Sequence, residues 1–359
     1  MTTRYGASRA DLAALLESWG EPKYRATQLF DGLWTRRAPL EALTTLPKEL
    51  RAKLEDALPL ALSTVTRRES TDGATVKWLW QTSDGAQVET VLMRSADRAT
   101  VCVSSQAGCA MGCTFCATGQ AGFERHLDVG EIVEQVVRAQ HDTTSRVSHV
   151  VFMGMGEPLA NVDPVLASLD RLHGDLGLSA RHLTVSTVGV VPGMRRLAQY
   201  PLPVTLAVSL HAPDDELRST LVPLNRRYPV NSVLDAAREY AAIKGRRVTF
   251  EYACIAGVND LPHQAEALAR RLTGLRGGAH VNLIPLNPTG DFPGQAPDRE
   301  RINRFAARLA AAGVTVTVRH NRGVDIDAAC GQLRAREAAS GTAPEVRTGG
   351  RSRSARMAP

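Results

Sequence analysis

The chain has 359 residues, of which 43% are hydrophobic and 22% are charged, and its formal net charge is +6. This length predicts one large domain plus a small one, and the composition excludes fibrous, collagen-like and disordered classes. No apolar run approaches the roughly 20 residues that cross a bilayer, and no secretory signal is visible, so we expect a cytoplasmic protein without membrane contact. The basic excess permits a nucleic-acid partner without requiring one.

The first part of the chain predicts a small α+β unit over residues 1–95. Periodicity and the placement of Pro22 and Pro47 predict three short helices, over 9–18, 23–34 and 47–57. Residues 64–94 alternate polar and apolar side chains and carry Asp-Gly turn signals, which predicts antiparallel hairpins. These two parts together form a candidate accessory domain.

Residues 96–335 alternate apolar runs with helical patterns, and the helices are predicted near 129–141, 163–173, 230–243, 261–273 and 298–312. Continuous apolar strands joined by crossover helices indicate a parallel α/β fold. Polar or small residues follow nearly every strand, which favours an α/β barrel or partial barrel over a doubly wound sheet. Residues 336–359 lack apolar periodicity and predict a disordered basic tail.

Cysteine spacing is the strongest chemical signal in the chain. Four of the six cysteines lie between residues 102 and 116, and Cys109, Cys113 and Cys116 form a CxxxCxxC motif just after the first strand of the barrel-like region. Three thiolates at this spacing can ligate three irons of a [4Fe–4S] cluster and leave the fourth iron open to a substrate. A structural zinc site is the alternative, but it needs a fourth ligand, for which His126 is the nearest candidate.

CxxxCxxC in the loop after the first strand resembles the radical S-adenosylmethionine (SAM) superfamily, whose cluster binds SAM and cleaves it to a 5′-deoxyadenosyl radical. The segment Gly154-Met155-Gly156-Glu157-Pro158 follows the next strand and resembles the superfamily's glycine-rich segment that meets the SAM amino group. Glycines permit close backbone approach, and Glu157 offers a carboxylate to an ammonium group. Taken alone, the same five residues are compatible with a tight strand-to-helix turn.

Further segments narrow the resemblance to one family. Cys102 precedes the motif on the strand, and Cys330 lies in DIDAACGQL near the far end of the chain. Together with FMGMGEPLAN, VSLHAPDDELR, HVNLIPLNP and GEPKYRATQLFDGLW, these residues strongly resemble the RNA adenine methyltransferases of the RlmN type and their Cfr antibiotic-resistance relatives, over about residues 10 to 333. The resemblance implies a partial (β/α) barrel of radical SAM type with an N-terminal α+β domain that binds RNA.

The resemblance also implies a reaction, the methylation of C2 of an adenosine in the peptidyl transferase centre of 23S rRNA, with tRNA next to the anticodon as a second candidate. Two SAM molecules are consumed per methyl group, and one [4Fe–4S] cluster is held by three cysteines. The first SAM methylates Cys330, and the second yields the radical that takes a hydrogen atom from that methyl group. Cys102 resolves the enzyme–RNA adduct through a transient disulfide with Cys330, and Glu89 accepts the ring proton.

The family's SAM contacts carry over onto residues at or just beyond predicted strand ends, namely Gly156, Glu157, Ser186, Ser209, Leu210, His211 and Asn287. A flavodoxin-type electron donor and a monomeric state are further family expectations. Cys254 matches no family role, so we interpret it as a buried strand thiol and use it as an internal control.

Three alternatives stay open at this point. Val188 stands where some family members have serine, so the chain could instead methylate adenine C8, as the Cfr enzymes do. The second alternative is a radical SAM methyltransferase of a small molecule or peptide. The accessory domain and the excess of basic residues argue against it. The third is an RNA-binding protein with a structural metal, in which Cys330 would be dispensable.

Overall fold

The computed structural model describes residues 2–96, 98–275, 277–290, 292–319 and 323–333. The tail predicted over 336–359 lies outside the described residues. Within them, no helix is long and apolar enough to cross a membrane.

The helices of the described chain are α1 (Arg9–Ser18), α2 (Lys23–Phe30), α3 (Lys48–Ala57), α4 (Ala117–Ala121), α5 (Val129–His141), α6 (Val162–Asp170), α7 (Val191–Gln199), α8 (Asp215–Leu221), α9 (Val230–Lys244), α10 (Pro262–Leu272) and α11 (Arg299–Ala311). The strands are β1 (Leu62–Glu69), β2 (Thr75–Thr82), β3 (Gln87–Ser95), β4 (Arg98–Cys102), β5 (Gln106–Gly108), β6 (Phe123–His126), β7 (Val147–Phe152), β8 (Leu183–Thr187), β9 (Thr205–Ser209), β10 (Val248–Cys254), β11 (Ala279–Pro285) and β12 (Thr315–Val318).

One large sheet organises the fold, in the order β1-β2-β3-β4-β7-β8-β9-β10-β11-β12. The strands from β1 to β4 pair antiparallel, and every pair from β4 to β12 is parallel. Parallel neighbours need crossover connections, which the helices between these strands supply. The α/β fold with a parallel partial barrel that the sequence predicted is confirmed.

Local signals set several helix boundaries. The Asp128 side chain accepts a hydrogen bond from the Glu131 N–H at 2.8 Å, and the Glu131 carboxylate accepts one from the Asp128 N–H at 2.9 Å. This capping box satisfies two backbone donors at the start of α5, which begins where the sequence predicted. The helix predicted over 23–34 instead ends at Phe30 and continues as a π-helical turn over Asp31–Thr35.

The N-terminal unit is tied to the barrel by a buried carboxylate. The fully buried Glu134 of α5 accepts hydrogen bonds from the N–H groups of Ala61 and Leu62, at 2.7 and 3.2 Å. The sheet itself continues across the proposed boundary, since β3 pairs with β4 from Val91↔Cys102 to Ser95↔Arg98. The division of the chain at residue 95 therefore stays a prediction.

Parallel strands bring their carboxyl ends to one edge of the sheet, and this edge carries most of the candidate site residues. Gly156 and Glu157 follow β7, while Ser186 lies on β8 and Ser209 ends β9. The cysteine motif begins directly after β5, which itself follows β4. We therefore examine this edge as one site.

Candidate active site

The cysteine motif lies in a loop whose backbone is held at several points. The N–H of Cys109 donates to the Gly122 carbonyl at 2.6 Å, and the N–H of Thr114 donates to the Leu221 carbonyl at 3.0 Å. Gly108 has φ +70°, and a Cβ on it would lie 2.1 Å from the Gly122 oxygen. Only glycine allows this approach, so the turn before Cys109 is built for a close backbone contact.

The three thiols of this loop interact with each other. Cys113 is buried, and Cys109 and Cys116 are partly buried. Burial raises the pKa of Cys109 to about 12 and that of Cys113 well above its ordinary value, and in both cases Cys116 adds to the increase. Within the described ranges, no three His, Cys, Asp or Glu side chains are grouped closely enough to enclose a single metal ion. A [4Fe–4S] cluster does not need such a close grouping, because each thiolate binds a different iron of the cluster.

The residues after β7 form a tight backbone cradle beside this loop. A Cβ on Gly156 would lie 2.6 Å from the Gln106 Cβ, and Gly156 has φ +101°. Gln106 holds the turn, because its Oε1 accepts from the Glu157 N–H at 2.8 Å and its Nε2 contacts His126 Nδ1 at 3.0 Å. His126, the candidate fourth zinc ligand, is thus engaged with Gln106 through one ring nitrogen.

Glu157 is a buried carboxylate at the edge of this cradle. Its oxygens accept hydrogen bonds from the N–H groups of Leu159 and Val188, at 3.0 and 2.9 Å. Burial nevertheless raises the pKa of Glu157 to about 7. A cation placed against this carboxylate would offset its desolvation, which is the interaction that the sequence predicted with the SAM ammonium group.

His211 follows β9 in a strained conformation, with φ +62°. Its Nδ1 accepts from the Ala253 N–H at 3.0 Å, and its ring contacts the edge of Phe115 at 4.8 Å between centroids. Burial lowers the pKa of His211 to about 3, so the ring is neutral and its proton lies on Nε2. A non-glycine residue held in the left-handed region is typical of functional sites.

The other residues predicted beside His211 differ in exposure. Ser186 and Ser209 are partly exposed at the ends of β8 and β9. Leu210 is 0% exposed within the main core, and its N–H donates to the Glu251 carbonyl at 3.0 Å. The buried Leu210 side chain offers no exposed surface to SAM, so the SAM contact at Leu210 stays a prediction.

The segment that bears Cys330 is fastened to the rest of the site. The Asn287 Nδ2 donates to the Cys330 carbonyl at 2.9 Å, and the Ala117 N–H donates to the Gly331 carbonyl at 2.8 Å. The Asn287 Oδ1 is buried and has no hydrogen-bond partner among the described residues. A buried acceptor without a partner is costly, so this oxygen fits a ligand that donates to it.

Cys102 and Cys330 lie within electrostatic range although they are far apart in the sequence. Burial raises the pKa of Cys102, and the neighbouring Cys330 raises it further, so the two sulfurs interact electrostatically. The pKa of Cys330 is raised by burial and then by charges that include Glu251 and Cys116. Cys330 nevertheless has an exposed surface. The Cys330 side chain is thus surrounded by many protein atoms and still reached by solvent, as expected for a residue that faces a concave opening.

Glu89 is buried on β3 and forms an ion pair with Lys77, with Nζ and Oε1 3.0 Å apart. The same Lys77 Nζ donates to the Asp327 carbonyl at 3.1 Å. Asp327 belongs to the segment that carries Cys330, so Lys77 connects the predicted proton acceptor with that segment. Sequence reasoning did not identify Lys77, because its partner lies far along the chain.

Comparison with known proteins agrees with this geometry. Residues 103–272 match the model of the radical SAM superfamily. A probable dual-specificity RNA methyltransferase RlmN from Parafrankia sp. (strain EAN1pec) is 54% identical, with coverage of 91% of this chain and 90% of the relative. The chain belongs to the RlmN family. An RlmN of the same printed description from Thermosynechococcus vestitus is 47% identical, covering 92% of this chain and 97% of the relative.

A solved structure is similar to this chain over almost its whole length. The radical SAM methyltransferase from Sphaerobacter thermophilus superposes with a TM-score of 0.90 at 50% identity, covering 94% of this chain and 100% of that one. Members of the radical SAM superfamily carry a [4Fe–4S] cluster and use SAM. The three coupled thiols and the unpartnered Asn287 oxygen fit these two groups.

Arg218 is a second residue of the site, besides Lys77, that sequence reasoning did not identify. Arg218 is buried below the ends of β8 and β9, where its guanidinium donates to the carbonyl of Leu210 at 2.9 Å. It lies within the segment VSLHAPDDELR, which was used only as part of the resemblance. A charged residue within a short polar helix is most often solvated, so the sequence contained no local sign of its burial.

We predict that Cys113→Ala lowers the iron content of anaerobically reconstituted protein to well under half, because it removes one of three thiolate ligands. Cys254→Ala is the matched control, since Cys254 is also a buried thiol near the same edge and is expected to keep full iron content. Iron and acid-labile sulfide analysis measures both. Equal iron in Cys113→Ala and the control would contradict this ligand assignment.

Proposed function

We propose that this protein methylates C2 of an adenosine in RNA, with 23S rRNA as the main substrate and tRNA as a second one. The observation that carries the proposal is the attachment of the Cys330 segment to the end of the CxxxCxxC loop, where the Ala117 N–H donates to the Gly331 carbonyl at 2.8 Å, with Cys102 within electrostatic range of Cys330. Membership in a family whose relatives are described as dual-specificity RNA methyltransferases supports the RNA substrate. The cluster ligands proposed are Cys109, Cys113 and Cys116.

Cys330 is proposed as the methyl acceptor because its thiol is accessible whereas that of Cys102 is buried. In the first step the Cys330 sulfur attacks the SAM methyl carbon, so that a new S–C bond forms and the sulfonium S–C bond breaks. A [4Fe–4S] cluster held by Cys109, Cys113 and Cys116 would supply the reductive cleavage of a second SAM, and the resulting radical would activate this methyl group. The polar route is closed because the amidine carbon of adenine is electrophilic and cannot attack SAM as a nucleophile.

Cys102 and Glu89 are proposed to complete the reaction. The radical adduct gives one electron back to the external one-electron carrier as it loses its ring proton. The Cys102 sulfur then attacks the Cys330 sulfur, the S–S bond forms, and the S–C bond to the RNA breaks, with its electron pair going to the carbon, which takes up a proton to become the methyl group. Glu89 takes the proton from the ring carbon, and its ion pair with Lys77 holds the carboxylate in place. An external thiol or flavodoxin-type reductant then returns the disulfide to two thiols.

SAM is proposed to lie against the carboxyl ends of the parallel strands. Gly156 leaves room for its amino acid part, and the Glu157 carboxylate pairs with its ammonium group. The neutral His211, together with Ser186 and Ser209, offers hydrogen bonds to its ribose or adenine, and Asn287 accepts one through its unpartnered oxygen.

Residues 1–95 are proposed to bind the RNA. Tyr24 is 54% exposed, and the Arg25 guanidinium lies over its ring at 5.0 Å. Lys53 lies over the Trp19 ring at 4.1 Å. Aromatic rings combined with cations suit stacking on bases and contact with phosphates. The monomeric state and the cytoplasmic location stay predictions.

The deciding experiment is anaerobic incubation of the reconstituted protein with SAM, a one-electron reductant and unmodified 23S rRNA fragment or tRNA. Nucleosides are then identified by mass spectrometry against 2-methyl- and 8-methyladenosine standards. We expect 2-methyladenosine, and an 8-methyl product would instead place the protein with the Cfr type. Cleavage of SAM without any methylated nucleoside would exclude the RNA substrate and favour a small-molecule or peptide substrate.

We predict that Glu89→Gln lowers the methylation rate by about 10²- to 10⁴-fold, because glutamine cannot accept the ring proton. Methylation of Cys330 itself precedes this step, so intact-protein mass spectrometry should still find one added methyl group on the variant. The control is Glu300→Gln on α11, whose side chain is 78% exposed and which should react at the normal rate. A normal rate for Glu89→Gln would assign the proton to another acceptor.

A further inference from the structure

Arg218 presents an unusual charge at the floor of the site. Its side chain is 0% exposed, and its guanidinium donates to the Asn225 Oδ1 at 2.9 Å and to the Ser209 and Val188 carbonyls at 3.2 and 2.5 Å. With the Leu210 carbonyl, these acceptors are all uncharged. Among the described residues, no carboxylate lies within ion-pair distance of Arg218.

Burying a charge without an ion-pair partner costs free energy, because the charged group loses its hydration and gains in return only hydrogen bonds to uncharged groups. The hydrogen bonds alone do not require a cation, since a neutral amide could make two of them. The Asp215 carboxylate acts on Arg218 only from an exposed position outside ion-pair distance, so the retained charge indicates a further negative group nearby.

The cysteine loop, whose thiolates would carry negative charge when they bind a cluster, lies close to the helix that bears Arg218. The helix α8 that carries Arg218 receives a hydrogen bond from this loop, since the Thr114 N–H donates to the Leu221 carbonyl at 3.0 Å. Cys113 also packs with Leu221 and Val222 in one buried cluster. The Arg218 charge counteracts the rise that burial causes in the pKa of Cys113, which places the guanidinium within electrostatic reach of this thiol.

We propose that Arg218 is the internal counter-cation of the cluster site, and that it makes the bound cluster easier to reduce by stabilising the added negative charge. Reduction adds one electron from an external one-electron donor, so the site gains one negative charge and no bond changes. A fixed cation in a buried, low-dielectric setting favours that state. Reduction potentials of such clusters depend on net charge and on their surroundings.

The same side chain has a second, geometric effect. Because it bonds to the carbonyls of Val188 and Ser209, it fastens the ends of β8 and β9, where Ser186 and His211 are proposed to meet SAM. Arg218 is thus a positioning residue, which acts through the cluster ligands and the strand ends. This inference rests on the cluster ligands proposed above but not on the identity of the RNA product.

The test compares Arg218→Gln, which keeps amide donors but loses the charge, with Arg218→Lys, which keeps the charge but loses the planar fork. Arg195→Gln is the control, because Arg195 is 59% exposed and pairs with Glu239 at the surface. Each protein is reconstituted anaerobically and checked for iron content. The midpoint potential of the cluster is then measured by redox titration followed by electron paramagnetic resonance, without RNA.

We expect Arg218→Gln to lower the equilibrium constant for reduction at least tenfold, which corresponds to about 59 mV toward more negative potential for one electron. Arg218→Lys should stay close to the wild-type potential, as should Arg195→Gln. A wild-type potential in Arg218→Gln, or equal shifts in Arg218→Gln and Arg218→Lys, would overturn the proposal.

A variant at a neighbouring residue tests the same idea should Arg218→Gln fail to fold. Asp215 is exposed, and its charge opposes that of Arg218. Asp215→Asn removes this opposing charge and can keep the acceptor for the Val230 N–H, which Asp215 Oδ1 now receives at 2.7 Å. We expect its midpoint potential to shift to less negative values, and an unchanged or opposite shift would contradict the proposal.

Discussion

Replacing Cys330 by alanine is expected to lower RNA methylation by more than about a thousandfold, because the variant has no sulfur to carry the methyl group. The cluster and the SAM contacts lie on other residues, so Cys330→Ala should still bind iron and still form 5′-deoxyadenosine from SAM. Methylated nucleosides, iron and 5′-deoxyadenosine are measured in the same reaction. This pattern separates a lost methyl carrier from a lost cluster.

Cys254→Ala is the control for this experiment. Cys254 is buried at the end of β10, and its proposed role is packing alone, so the variant should methylate RNA within about twofold of the normal rate. If Cys330→Ala methylated RNA at a comparable rate, the methyl group would not travel through Cys330. The alternative of an RNA-binding protein with a structural metal predicts that Cys330 is dispensable.

Replacing Cys102 by alanine is expected to trap the RNA on the protein. Without the Cys102 sulfur the adduct on Cys330 is not resolved, so release of methylated RNA should fall by more than about a hundredfold. The trapped species is measured as a slower protein band in a denaturing gel, which returns to its normal position after ribonuclease treatment. Cys102→Ala should form this band, and the double variant Cys102→Ala with Cys330→Ala should not.

The matched control for Cys102 is again Cys254. Both are buried thiols at the carboxyl ends of central strands, and burial raises the pKa of each. They differ in their neighbours, since Cys330 affects Cys102 whereas Asp260 affects Cys254. Release of methylated RNA at the normal rate by Cys102→Ala would show that another group resolves the adduct.

The elements with strong local signals could be predicted from the sequence. The α5 helix begins at its capping box and has apolar residues at helical spacing, so its bounds agree with the prediction. The α7 and α8 helices were missed. Pro192 and Gly193 usually indicate a break, but they fall in the first turn of α7, where a proline is tolerated. The α8 helix is too short to show a helical period in the sequence.

The residues of the candidate site likewise divide into those that could be predicted from the sequence and those that could not. CxxxCxxC and the Gly156-Glu157 turn are contiguous motifs, so both were found in the sequence, one after the first strand of the barrel-like region and one after the next. The short strand β5 directly before Cys109 was not predicted. Arg218 and Lys77 were not found, because a charged residue on a short helix or a strand ordinarily faces water. Their roles come from partners in other parts of the chain, such as Asp327 for Lys77.

The sequence by itself determined the fold class, the family and the three cysteines proposed to bind the cluster, because these depend on local periodicity and on motifs whose residues are adjacent. The pairing of Cys102 with Cys330 was implied by the family resemblance. Only the tertiary structure decided that Lys77 connects Glu89 with the Cys330 segment and that Arg218 is buried. Such contacts join residues far apart in the chain, and their energy depends on burial and on neighbouring charges that no local pattern encodes.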